Sequence, residues 1–137
     1  MTRRGRRATA CAAAVAAPLL VLLVTDPLLG HRLRITDGDE VLDLGAGPVA
    51  FVALLASLAG WALLAALERF GVRRARAVWT GVAAAVLAVS FLPLTGDGMD
   101  GGTRAALALM HAAVAAVLIP GLAGRGVGAE VRALEAR

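Results

Sequence analysis

Four stretches of this chain run without a charged residue for about the length needed to cross a bilayer. They are Ala8–Thr25, Val49–Leu67, Ala77–Leu94 and Ala105–Ala123, of 18, 19, 18 and 19 residues. At a helical rise of about 1.5 Å per residue each covers most of the roughly 30 Å of hydrocarbon in a membrane. Backbone in contact with lipid must satisfy its own hydrogen bonds, so an apolar span is a helix or part of a closed barrel. These runs are continuously apolar and do not alternate, which selects helices. The sequence therefore predicts an all-α membrane protein. It is a four-transmembrane-helix antiparallel bundle, with helices over about 8–29, 48–67, 77–94 and 103–123 and a single membrane domain over 1–137. Short connections make successive helices neighbours. Hydrophobic residues form 59% of the chain and the mean hydropathy is +0.78. An average soluble domain has roughly 45–50% apolar residues, and one this small could not hide the excess.

The first run follows Arg3, Arg4, Arg6 and Arg7, which is also the outline of a secretory signal peptide. It is long for such a segment, and Thr25-Asp26-Pro27-Leu28-Leu29 offers no small-x-small cleavage site. It reads as an uncleaved helix, kinked at Pro18. Cys11 is the only cysteine. It has no disulfide partner within the chain, and it precedes the apolar run where a lipidated cysteine would follow one.

The net charge is +4, and all fourteen basic residues are arginine. With abundant Ala, Gly, Val and Leu, this points to a GC-rich genome such as an actinobacterium's. The arginines lie between apolar blocks and form no soluble basic face, so nucleic acid is not an expected partner.

Between the first two spans, residues 32–44 read as an outer β-hairpin. Arg32-Leu33-Arg34-Ile35-Thr36 alternates polar and apolar, and Asp37-Gly38 is a tight-turn signal. A two-residue turn there sets Leu33 opposite Leu42 and Arg32 opposite Asp43. The tail, 124–137, ends in a sequence suited to a short surface helix. Small residues at four-residue spacing mark candidate helix contacts: Ala56 with Gly60, Gly81 with Ala85, and Ala108 with Ala112 and Ala116. Trp79, near the end of its span, reads as an interfacial anchor.

Chemistry-bearing residues inside the spans are few. His111 lies in the middle of the fourth, and an ionisable group in a membrane is a functional candidate by default. Helical rise puts Ser57 of the second span at the same depth, so a neutral His111 facing the interior is expected to hydrogen-bond Ser57, with Ser90 as the fallback partner. Asp26 and Arg104 fall near the outer ends of their helices, where they would tie helix one to helix four. Haem ligation would need a second histidine within the spans, and His31 lies outside them. Metal binding lacks companion ligands. Asp37, Asp39, Glu40 and Asp43, like Asp97 and Asp100, fit no calcium loop and read as solvated surface. No Ser-His-Asp, P-loop or HExxH pattern is present. No cofactor and no enzymatic activity are expected.

Gly60-Trp61-Ala62-Leu63-Leu64 with Leu67-Glu68, Arg74-Ala75-Arg76 with Trp79, and Leu109-Met110-His111 followed by Val117-Leu118-Ile119-Pro120-Gly121-Leu122 carry a likeness. Through them nearly the whole chain resembles an actinobacterial family of small four-helix integral membrane proteins, catalogued only as a domain of unknown function. The resemblance implies a membrane location and this helix count, and it brings no activity. Two functional readings remain open. One is a non-enzymatic accessory protein whose partners are the lipid bilayer and a protein or a second copy of itself. The other is a small transporter or ligand-binding bundle using His111 and the Asp26/Arg104 region. Small four-helix multidrug exporters place an essential carboxylate within a span, and none here lies deeper than Asp26.

Arginines in short loops stay in the cytoplasm. The N-terminal segment, the second connection and the tail hold four, four and three, against three (Arg32, Arg34, Arg104) on the other side. The expected location is the bacterial plasma membrane with both termini cytoplasmic. Reporter enzymes fused after Arg76 and after Arg137 should be active in the cytoplasm; an extracytoplasmic signal at either position would reverse the topology.

Overall fold

The computed structural model describes residues 2–28, 30, 32–37, 39–96 and 99–124. The chain is a bundle of four helices, α1 (Arg3–Leu23), α2 (Ala46–Arg69), α3 (Ala75–Ser90) and α4 (Gly101–Ala123). A π-helical turn, Val24–Leu28, continues α1, and a 3-10 turn, Leu92–Thr95, follows α3. All four helical stretches are long and apolar enough to cross a membrane. Between α1 and α2 a short antiparallel hairpin pairs β1 (Arg34–Asp37) with β2 (Glu40–Asp43).

All four helices begin earlier than the charge pattern predicts, and in two of them a polar residue caps the first turn. Thr2 accepts the backbone N–H of Gly5 at 3.1 Å, so α1 starts at Arg3 and carries the arginine run on its first two turns. Asp100 accepts both the N–H and the hydroxyl of Thr103 at 2.9 Å, so α4 starts at Gly101. Side-chain oxygens that take up orphan N–H groups at a helix start are worth about 1 kcal/mol each. At the other end of α2, Gly71 has φ +66° while Val72 N–H reaches back to Leu67 O at 3.1 Å. That left-handed closure stops the helix without orphaning its last carbonyls. The expected surface helix of the tail lies outside the described residues.

The hairpin is present, but its register is not the expected one. Arg34 stands opposite Asp43, and Asp37 opposite Glu40. The two residues between the strands are thus 38 and 39, not 37 and 38; Gly38 itself lies outside the described residues. Leu33 faces Leu44, with Leu44 N–H donating to Leu33 O at 2.9 Å. This register brings Leu33 and Leu44 together over the bundle end, where Leu33 is 3% exposed and packs with Leu22, Ala106 and Met110. It also sets Arg34 Nε 2.9 Å from Asp43, the partner expected for Arg32. The offset is two residues, so every side chain keeps its face.

Helix α1 packs against α4 and α2, and α3 packs against the same two, while α2 and α4 scarcely touch. The main core lies toward the arginine-rich end and is built around Ala14, Leu64, Trp79 and Leu122. Trp79 is 1% exposed and donates its indole N–H to Gly60 O at 2.8 Å. It is therefore a core residue joining α3 to α2, and not the interfacial anchor its position suggested. An indole buried in apolar surroundings needs such a partner.

The expected small-residue contacts are mostly elsewhere. Gly81, Ala85, Ala112 and Ala116 are exposed on the outside of the bundle. A close approach joins α1 and α4: a Cβ built at Gly121 would lie 2.6 Å from the Ala10 Cβ. Ala10, Cys11 and Ala14 form the buried stripe of α1 that faces this seam. Without a hydrophobic drive between helices in lipid, this kind of approach supplies the attraction.

Gly121→Ala should therefore lower stability by about 1–3 kcal/mol through overpacking, despite alanine's better helix propensity. Gly81→Ala, with nothing within 4 Å of its new methyl, should be neutral or stabilising. Thermal unfolding of the two variants in detergent checks the contrast, and equal behaviour would remove the seam's special role.

Candidate functional site

The residues singled out in the sequence occupy three separate places. Ser57 is fully buried and turned toward α1. Its hydroxyl donates to Ala53 O at 2.7 Å, and its own carbonyl receives the Cys11 thiol at 3.7 Å. The expected bond between Ser57 and His111 is not made, because α1 claims that face of α2. Ser90 is also committed, donating to Leu87 O at 2.6 Å.

His111 is partly buried and lines a cleft of about 560 Å³ bounded by α2, α3 and α4. The separation of α2 from α4 creates this space. Its walls include Val52 and Ala56 of α2, Ala83 and Leu87 of α3 and Val114 of α4, with Pro18 of α1 at its back. The ring centroids of His111 and Phe91, at the end of α3, are 6.1 Å apart at 44°. The Nδ1 atom lies 2.7 Å from Leu107 O, one turn earlier in α4. A carbonyl only accepts, so Nδ1 carries the proton, and a neutral ring then presents Nε2 as a bare acceptor. Within the cleft wall, His111 and Ser90 supply the polar side chains, and the Ser90 proton is already given away.

The family model for DUF6069, a family of unknown function, matches residues 1–127. The chain belongs to this family. The matched range takes in all four helices of the DUF6069 chain and its hairpin. No curated protein and no solved structure matches it.

Asp26 and Arg104 are not brought together. Arg104 donates to Gly96 O at 2.9 Å, closing the turn before α4. Asp26, on the π-helical turn, borders a shallow depression with Arg32, Leu33 and Asp43. Among the described residues, the ion pair that does tie helices together is Arg7 with Glu68, 2.7 Å apart and linking α1 to α2. Sequence reading missed it because Arg7 was counted only as one of four N-terminal arginines ahead of the first span. The available signal was that Glu68 is the only acid in the connection between the second and third spans.

Because Arg104 is bonded to Gly96 O and not to Asp26, Asp26→Asn and Arg104→Gln should be additive. A double-mutant cycle on unfolding in detergent should give a coupling within about 0.5 kcal/mol of zero; a larger coupling would restore the pair.

Proposed function

We propose that this DUF6069 protein is a non-enzymatic membrane bundle, with both termini in the cytoplasm, that holds a lipid-soluble small molecule in the cleft beside His111. The observation carrying this reading is the His111 ring, which lines an apolar cleft with Nδ1 2.7 Å from Leu107 O, so that a neutral ring keeps Nε2 as its acceptor. An acceptor left unpaired in hydrocarbon costs about 1–3 kcal/mol. An acyl chain entering from the bilayer would leave it so, whereas an apolar molecule bearing a hydroxyl would satisfy it. The volume suits one such molecule, since small-ligand sites run from about 300 to 1,000 Å³. No carboxylate stands in the cleft wall, which favours holding a neutral compound over proton-driven export.

A long-chain alkylphenol and its methyl ether separate the reading from simple lipid filling. Trp79 lines the cleft, so quenching of its fluorescence reports occupancy. The phenol should bind the wild-type protein about fivefold more tightly than the ether, the value of one net hydrogen bond, and His111→Leu should erase the difference while leaving the bundle folded. Equal binding of phenol and ether to the wild type would overturn the proposal.

The accessory reading draws on the hairpin, where Val41 and Leu42 are each 60% exposed beyond the helices. An apolar tip of this kind suits a protein partner at that surface. Co-purification of a protein that is lost in Val41→Ser/Leu42→Ser, and not in His111→Leu, would favour that reading over the cleft.

A further inference from the structure

The arginine-rich end of the bundle gathers guanidinium groups from different helices around one carboxylate. Arg7 of α1 is 7% exposed and bonds Glu68 of α2 through Nη2 at 2.7 Å. Its Nε is buried and has no hydrogen-bond partner among the described residues. At the C-terminal end of α4, a Cβ built at Gly124 would lie 3.0 Å from Arg6 Nη2 and 3.9 Å from Arg76 Cζ. Arg6 of α1 and Arg76 of α3 thus converge over the same helix end. Arg3 and Arg76 are near enough to act electrostatically on the Glu68 carboxylate.

Among the described residues, the charges around this point do not balance. Four guanidiniums face one carboxylate and the C-terminal end of α4, which counts for roughly half a negative charge. An excess of about two and a half positive charges remains. The position of the cluster identifies what would neutralise it. Arg7 immediately precedes the uncharged run of α1, Glu68 immediately follows that of α2, and Arg76 immediately precedes that of α3. All three therefore sit at the border of the hydrocarbon, at the depth of lipid phosphates.

We infer that the junction of Arg6, Arg7 and Arg76 at the α4 C-terminus is a binding site for the phosphodiester headgroup of an anionic membrane lipid. Guanidinium forks match phosphate oxygens in pairs, and basic pockets between helices on the cytoplasmic side take such headgroups. The lipid would bridge α1, α3 and α4 at the end where like charges otherwise push those helices apart. The site is remote from the His111 cleft and does not depend on what the cleft holds.

Arg6 and Arg76 are exposed, and neither side chain makes a hydrogen bond or ion pair among the described residues. Arg6→Gln/Arg76→Gln should therefore fold as the wild type does, whereas Arg7 is left in place because its pair with Glu68 ties α1 to α2. Native mass spectrometry of protein in uncharged detergent, titrated with equal phosphatidylglycerol and phosphatidylcholine, reads the lipid retained. The wild type should keep one phosphatidylglycerol in preference to phosphatidylcholine. The double variant should lose affinity about thirtyfold, each arginine near a charged headgroup contributing about fivefold. Arg32→Gln, at the hairpin end, should behave as wild type. Unchanged retention by the double variant would overturn the site, and equal loss in Arg32→Gln would replace it with diffuse attraction. Displacement of the lipid by inorganic phosphate or by an acidic peptide at equal concentration would assign the cluster to a soluble anion or a protein instead.

Discussion

Helix α1 lies against α4 so closely that the Ala10 Cβ occupies the space a side chain at position 121 would need. Lipid gives apolar helices little reason to prefer one another over acyl chains, so their association rests on how near two backbones can come. The seam at Ala10 and Gly121 is where this happens, and it orders the rest of the bundle. It places the arginines of α1 over the end of α4. It also turns Ser57 of α2 toward α1, and it leaves α2 and α4 too far apart to close on each other.

That gap becomes the His111 cleft. Trp79 bridges α3 to the Gly60 carbonyl and seals one end, while Pro48 and Val49 line it toward the hairpin. The histidine, which lines the cleft, is held by its own helix through Leu107. The two polar centres of the bundle are therefore of opposite kinds. In the fourth helix there is a histidine beside an apolar space. At the arginine-rich end the described residues carry surplus positive charge.

Sequence reading located the spans and the hairpin but mistook several local roles. The expected Ala56–Gly60 contact lines the cleft instead of closing it, and Gly81 with Ala85 faces outward. In an alanine-rich chain, four-residue spacing recurs on every face of a helix, so it cannot say which face meets a neighbour. Arg7 read only as part of the basic block before the first span, because a charge run before an apolar run looks the same whether or not it is helical. Only the Thr2 cap, which extends α1 to Arg3, carries Arg7 round to meet Glu68.

The sequence alone determined that the chain forms four apolar helices with a polar hairpin after the first. Uncharged runs of bilayer length leave the backbone no alternative, and the strand period with a turn signal is a local property. Tertiary structure alone decided which residues meet. The hairpin register followed from Leu33 and Leu44 sharing one site on the bundle end, a contact made with residues of α1 and α4 far away in the chain. The separation of His111 from Ser57 followed from which helices are neighbours. Two residues at equal depth on different helices are close only if those helices pack face to face, and the close approach at Gly121 gave that place beside α4 to α1.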